Sequence, residues 1–285
     1  MKAPKFSYVR AESVEHAVEL LSRHGDDARI LAGGQSLMPT LNMRLSRPKL
    51  LIDINRLEAQ LAGAVFDGRN VRIGALTRHA DIMLSHMVAT YLPLLALAIP
   101  HVAHVAVRNR GTFGGSVALA DPAAEMPACL LALGGRIVLQ SVRGRREVAA
   151  EDYFHGLYQT ARQPDELLVE ALIAPEEAGM RSSFHELARR HGDFAMAGVA
   201  ARASVAGGTL SKVRLVYFGS EIKPTLGTSA MAAAEGKVWS DATRDAVLAA
   251  LGDDLDPMDN LSGKPATKLH WQRVLTKRAL DDIAA

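Results

Sequence analysis

The chain predicts an α+β fold, and three observations carry that prediction. Residues 13–54 read as helix, strand, helix, strand in very little chain, a small α/β unit. Ala197–Ala206 and Leu210–Gly219 are two β-type runs joined by Gly207-Gly208-Thr209, a hairpin signal. Three helical segments then close the chain, near Ser229–Glu235, Asp241–Leu251 and Pro265–Ile283.

Taken in order, Ser13 is an N-cap, with Val14, Ala17, Val18 and Leu21 on one helical face and Gly25 at the C′ position. Arg29–Ala32 reads as a strand, followed by a glycine turn, a short helix and a second strand at Leu50–Ile54. The pattern breaks over Glu58–Asn70 and resumes as a strand at Val71–Leu76. Thr77 precedes a long apolar helix from about Asp81 toward Ala98, interrupted near Pro93. A second glycine-rich segment, Arg108–Ser116, leads through Val117–Ala120 to Asp121–Pro127 and a helix ending at Leu133. Arg136–Val142 and Leu167–Ile173 alternate as strands, with a helical piece near Glu151–Tyr158. The character changes after Glu176-Glu177-Ala178-Gly179, and Phe184–Arg190 is again strand-like.

Bulk properties narrow the function classes. Of 285 residues, 48% are hydrophobic, enough for two or three modest domains with real cores. Lysine and arginine number 33 against 31 acidic residues, a formal charge of +2, which argues against a dedicated nucleic-acid binder. The short basic cluster Arg143-Gly144-Arg145-Arg146 reads as a solvated hairpin tip. One cysteine, Cys129, lies in an apolar run; a single thiol makes no internal disulfide and cannot by itself ligate an iron–sulfur cluster. The N-terminal segment lacks the apolar core of a signal peptide, and no 18-residue apolar window spans a membrane, so a cytoplasmic protein is expected.

Two glycine segments carry the chemistry. In Ala28–Pro39, the strand residues Arg29, Ile30, Leu31 and Ala32 run into Gly33-Gly34-Gln35-Ser36. Glycines there let the backbone come close to a ligand, and consecutive N–H groups form a concavity for phosphate oxygens. Each amide bond to a charged oxygen is worth roughly 1.5–3 kcal/mol. A tight strand-to-helix turn without a ligand explains the same residues. The second segment, Thr112-Phe113-Gly114-Gly115-Ser116, is expected to close a β-type run in the same way. Two backbone cradles about 80 residues apart suit a diphosphate with a bulky group at each end, a flavin dinucleotide among the candidates. No Gly-x-Gly-x-x-Gly follows a strand, no P-loop is present, and Gly34–Met38 lacks the closing glycine of a nucleophile elbow. His101-x-x-His104 has ligand spacing but no third partner in view.

Three motifs in order resemble a known family: Ala-Gly-Gly-Gln-Ser-Leu-x-Pro at 32–39, Thr-x-Gly-Gly-Ser with Ala-Asp-Pro-Ala-Ala-Glu-x-Pro at 112–127, and Phe-x-Glu-x-Ala-Arg-Arg-x-Gly-Asp-Phe-Ala at 184–195. Together they are similar to the FAD-binding medium subunit of molybdenum hydroxylases, which includes the flavin subunits of carbon monoxide, quinoline and nicotine dehydrogenases and the flavin domain of xanthine dehydrogenase.

The resemblance implies a two-part FAD-binding unit of the vanillyl-alcohol-oxidase or MurB (PCMH) type, 1–57 and 58–177, then a C-terminal domain, 178–285, with a three-stranded antiparallel sheet and a three-helix bundle. It implies that Arg29 to Ser36 line the FAD diphosphate and that Thr112 to Ser116 complete the cradle. Glu125 falls at an acidic position on the adenosine ribose, where a carboxylate accepting two hydroxyls is sound chemistry; an acid favoured by a helix N-terminal dipole is the alternative. Val102 falls at an apolar flavin-site position and Leu168 where backbone meets the ring; plain core is the alternative for each. His185 and Glu186 stand where some relatives carry a lysine, and Arg189-Arg190 matches the family's arginine pair. No catalytic acid or base and no metal ligand is expected in this chain.

The family role implied is electron transfer. A large partner subunit with a molybdopterin cofactor hydroxylates an organic substrate, a small subunit carries two [2Fe–2S] clusters, and FAD here passes electrons to an external acceptor, in a dimer of heterotrimers. A stand-alone flavin oxidoreductase of the MurB sort and a flavin-less assembly scaffold are the alternatives.

Overall fold

A computed structural model describes residues 2–285. The first sheet holds β1 (Ser7–Arg10), β2 (Ala28–Leu31) and β3 (Leu50–Asp53), all parallel, with β3 in the middle. Strand β1 is absent from the sequence reading, because four mostly exposed residues present no apolar alternation. The helix Val14–His24 covers this sheet, its N-cap Ser13 accepting a bond from the His16 amide.

The second sheet is antiparallel and contains β4 (Ala64–Phe66), β5 (Val71–Gly74), β6 (Arg136–Ser141) and β7 (Gly144–Ala149). After a small ribbon of β8 (Phe154–Gly156) and β9 (Gln159–Thr160), the chain re-enters this sheet at its centre as β10 (Leu167–Ile173), in the order β4-β5-β10-β6-β7. The third sheet holds β11 (Met180–Leu187), β12 (Ala197–Ala206), β13 (Thr209–Phe218) and the two-residue β14 (Thr225–Leu226). The C-terminal sheet therefore has four strands rather than the three expected, β14 being too short to leave a sequence pattern. Three helices follow: Thr228–Ala234, Asp241–Asp254 and Pro265–Ala284.

Three cores separate by the alternation of side chains along the strands. Leu167 and Val169 of β10 and Val138 of β6 face the core of the first sheet, while Leu168, Ala171 and Ile173 face the central core. A register shift between Leu168 and Glu170 resets the parity, as a bulge must. In the third sheet, Ala200, Val216 and Phe218 face the central core, and Ala197, Val199, Leu215 and Tyr217 face the C-terminal helices.

Four further expectations are corrected. The apolar run 81–98 is three short helices, His79–Leu84, His86–Tyr91 and Pro93–Ala98, because Ser85 caps the second and Pro93 opens the third. The helical piece near 151–158 is only Ala150–Tyr153, after which Phe154 enters β8. Arg143–Arg146 is not wholly a solvated tip: Gly144 to Arg146 lie in β7, and Arg146 holds the buried Glu166 through bonds of 2.6 and 2.7 Å. The segment at Thr112 does not close a strand; it opens the helix Phe113–Leu119, with Thr112 as N-cap.

Candidate functional site

The first glycine loop lies where parallel strand β2 ends, beside the C-terminal end of β3. Backbone N–H groups of Gly33, Gly34, Gln35 and Ser36 make no hydrogen bond among the described residues. Gly34 has φ +71°, the left-handed region that favours glycine. Gln35 and Ser36 are exposed, and the helix Leu37–Asn42 starts directly after them. These are the features of a backbone anion cradle.

The two glycine segments touch. A Cβ on Gly33 would collide with the Arg110 carbonyl oxygen and lie 2.9 Å from Gly111 Cα. Only glycine permits that approach. Thr112 forms an isolated antiparallel bridge with Arg78, and the His79 amide donates to Gly111 O at 3.0 Å.

The second segment nonetheless differs from the open cradle expected of it. The Phe113 amide donates to Thr77 O, the Gly114 amide to Ala75 O and the Gly115 amide to Thr112 Oγ1, so the first helical N–H groups are already paired. Phe113 is fully buried in the central core. Gly114 sits so close to Ala75 that a Cβ would meet its Cα at 2.6 Å, while Gly115 is exposed and Ser116 half-buried. This segment supplies a wall and small side chains; the unpaired amides belong to the first loop.

The remaining predicted residues divide. Ile30 and Ala32 pack on the first core, and Leu31 Cδ1 stands 3.3 Å from where a Cβ on Gly34 would lie. The Arg29 guanidinium points away from the loop, donating to Asp26 O and Ala28 O at 2.8 Å each. Leu168, at the β10 bulge, is joined to the Gly114 wall through Val169 O, which accepts from the Ala75 amide. Val102 is 8% exposed, and its carbonyl accepts from the buried Arg108 guanidinium at 2.8 Å.

Glu125 opens the helix Glu125–Ala132 and is 6% exposed. Burial carries its pKa up to about 8, with the nearby Glu186 acting in the same direction and His101 against it. His101 pairs with Glu186 at 3.2 Å, which raises the imidazole pKa. The motif histidine is thus an ion-pair partner of Glu186. No group of histidine, cysteine, aspartate or glutamate among the described residues is arranged to hold a metal. Two shallow concavities of about 340 and 390 Å³ lie elsewhere, one on the face of the second sheet beside Arg72 and Glu170, the other by Arg143 and Gln163.

Sequence reasoning missed Asn55 and Arg78. Asn55 Nδ2 donates to Ala32 O at 3.0 Å, and Arg78 donates to Arg110 O at 2.6 Å and to Asn55 Oδ1 at 3.0 Å. Neither lies in a glycine motif, so no local signal marks them.

Residues 4–176 match the model for the FAD binding domain in molybdopterin dehydrogenase, and residues 182–283 match the CO dehydrogenase flavoprotein C-terminal domain. The alpha subunit of the 6-hydroxypseudooxynicotine dehydrogenase complex of Paenarthrobacter nicotinovorans is 39% identical over 98% of this chain and 95% of that one. The structure of carbon monoxide dehydrogenase from Hydrogenophaga pseudoflava, in a form lacking the Mo-pyranopterin moiety, superposes with TM-score 0.96 at 37% identity, over 99% and 98% of the two chains. Quinoline 2-oxidoreductase from Pseudomonas putida 86 gives TM-score 0.94 at 34% identity, over 100% and 98%. No helix among the described residues is long and apolar enough to cross a membrane. Motifs, loop geometry and relatives agree, and the chain belongs to the FAD-binding medium subunits of the xanthine dehydrogenase-family molybdenum hydroxylases.

Proposed function

We propose that this chain is a cytoplasmic electron-transfer subunit that takes electrons from the [2Fe–2S] clusters of a small partner subunit and delivers them through FAD to an external acceptor. The large partner carries the molybdopterin cofactor and hydroxylates the substrate, and the assembly is a dimer of heterotrimers. A nitrogen heteroaromatic substrate is the reading favoured by the names of two relatives, which carry 6-hydroxypseudooxynicotine and quinoline.

The observation that carries the reading is the contact of Gly33 with the Arg110–Gly111 backbone beside four loop amides unpaired among the described residues. An anion cradle in which a Cβ has no room, walled by Thr112–Ser116, fits a diphosphate. FAD, once bound, supplies the redox chemistry. The chain's own residues bind and orient it. Gly33 to Ser36 hold the diphosphate, and Leu31 and Ala32 shape the strand end, with Arg29 and Ile30 contributing backbone only. Thr112, Phe113, Gly114, Gly115 and Ser116 form the wall, and Val102 and Leu168 flank the ring. Glu125 accepts the ribose hydroxyls through its carboxyl oxygens.

In the same reading, 1–57 and 58–177 are the two lobes of a PCMH-type FAD-binding unit and 178–285 the C-terminal domain with its helix bundle. The test is co-expression with the partner subunits. The purified complex should show oxidised-flavin absorption that bleaches under anaerobic substrate, and it should release FAD on denaturation. A complex that turns over substrate with no FAD in the denatured supernatant refutes the proposal.

A further inference from the structure

We infer that Asn55 and Arg78 are positioning residues that brace the glycine loop against the 110–112 turn and aim the loop amides at the bound diphosphate. The inference rests on the FAD reading above and deepens it.

A trans peptide holds its C=O and the next N–H on opposite sides of one plane. Anchoring a carbonyl therefore aims the following amide. Asn55 Nδ2 donates to Ala32 O at 3.0 Å, which turns the Gly33 N–H to the opposite side. Gln35 Nε2 donates to Gly33 O at 3.0 Å, which does the same for the Gly34 N–H. Both carbonyls, which would repel an anion, are thereby held away from it. The Asn55 amide has one orientation consistent with its partners, since Nδ2 also donates to Asp53 Oδ1 at 2.7 Å while Oδ1 accepts from Arg78.

Arg78 links this strand end to the other wall. Its Nη1 donates to Arg110 O, the oxygen against which Gly33 packs, and its Nη2 donates to Asn55 Oδ1 and to Glu58 Oε1 at 2.6 Å. One planar guanidinium thus spans three acceptors, which a lysine ammonium on a flexible stem cannot reproduce. The Arg78 side chain is 16% exposed, and its charge-assisted bond to Asn55 is partly buried, while those to Arg110 O and Glu58 lie at the surface. None of these bonds of the brace uses the loop amides, which are left to the ligand.

The test uses the full chain, stripped of flavin, with FAD and ADP as probes and riboflavin as a phosphate-free control. Asn55→Ala removes both donors without adding charge; Arg78→Lys keeps the charge but not the span. Each variant should weaken FAD and ADP alike by about tenfold or more. Riboflavin affinity and the unfolding temperature of the flavin-free chain should stay near wild type. FAD and ADP affinities unchanged in both variants, or full affinity in Arg78→Lys with loss only in Arg78→Ala, overturn the brace and leave the FAD reading standing. Loss of riboflavin binding in parallel with FAD also overturns it, since the defect is then general unfolding. A wild-type chain that binds neither FAD nor ADP overturns the FAD reading itself.

Discussion

Gly33→Ala should disable the cradle, and the structure sets the scale. The new Cβ would collide with the Arg110 carbonyl oxygen and stand 2.9 Å from both its carbonyl carbon and Gly111 Cα. Real Cβ atoms essentially never approach that closely, and ordinary contact begins at 3.4 Å. No rotamer relieves the clash, because every opposing atom is backbone and the Arg110 oxygen is held by Arg78 at 2.6 Å. The loop must therefore back away from the wall. Overpacking of this kind costs about 1–3 kcal/mol in stability. Displacing two amides from the phosphate oxygens forfeits a further ~3 kcal/mol of binding, about a hundredfold in FAD affinity. Gly34→Ala is the internal comparison: its neighbours are the rotatable Leu31 Cδ1 and Met38 Cγ at 3.3 Å, and its cost is the left-handed backbone, about 1–2 kcal/mol. Flavin fluorescence titration of the flavin-free chain, alongside thermal unfolding, measures both. Gly33→Ala binding FAD with wild-type affinity and unfolding at the wild-type temperature would refute the contact between the loops.

Thr112→Ala removes the cap on the Gly115 amide and should lower stability by about 1 kcal/mol, read as a drop in unfolding temperature of about 2–4 °C. Glu125 has a folded pKa of about 8, raised by burial from an ordinary 4.5, so its contribution is full below pH 4.5 and is lost as pH rises through 8. Glu125→Gln should abolish that loss, an effect of up to about 4–5 kcal/mol, and its unfolding curves in the flavin-free chain should flatten between pH 5 and 8.5. Arg146→Met strands the buried Glu166 carboxylate and should cost about 3 kcal/mol by denaturant unfolding, with Glu166→Gln in the same background recovering most of it.

Sequence alone carried the parts of this fold that local chemistry writes down. Ser13 capping Val14–His24, Pro265 opening the last helix and the Gly207-Gly208 hairpin all act within a few residues of themselves. The motifs also located the glycine loop. What escaped depends on partners distant in the chain. Ser7–Arg10 becomes a strand only because β3 lies beside it, and Ala64–Phe66 only because β5 does. The expectation that Thr112–Ser116 offers a second set of free amides failed for the same reason: Thr77 and Ala75, some 35–40 residues earlier, take those donors. Asn55 and Arg78 stayed hidden because the oxygens that tie them to the glycine loop and the 110–112 turn are backbone oxygens, which leave no mark on residue type.

The first sheet has a consequence for biosynthesis. Its apolar face closes on Val138, Leu167 and Val169, residues made long after β3. At roughly 5–20 residues per second, a ribosome needs on the order of ten seconds to deliver them. Through that interval the nascent N-terminal segment has its own helix Val14–His24 over the sheet but lacks the residues that close the rest of this core, which makes it a natural client for chaperones bound near the exit tunnel and a poor candidate for expression as an isolated fragment.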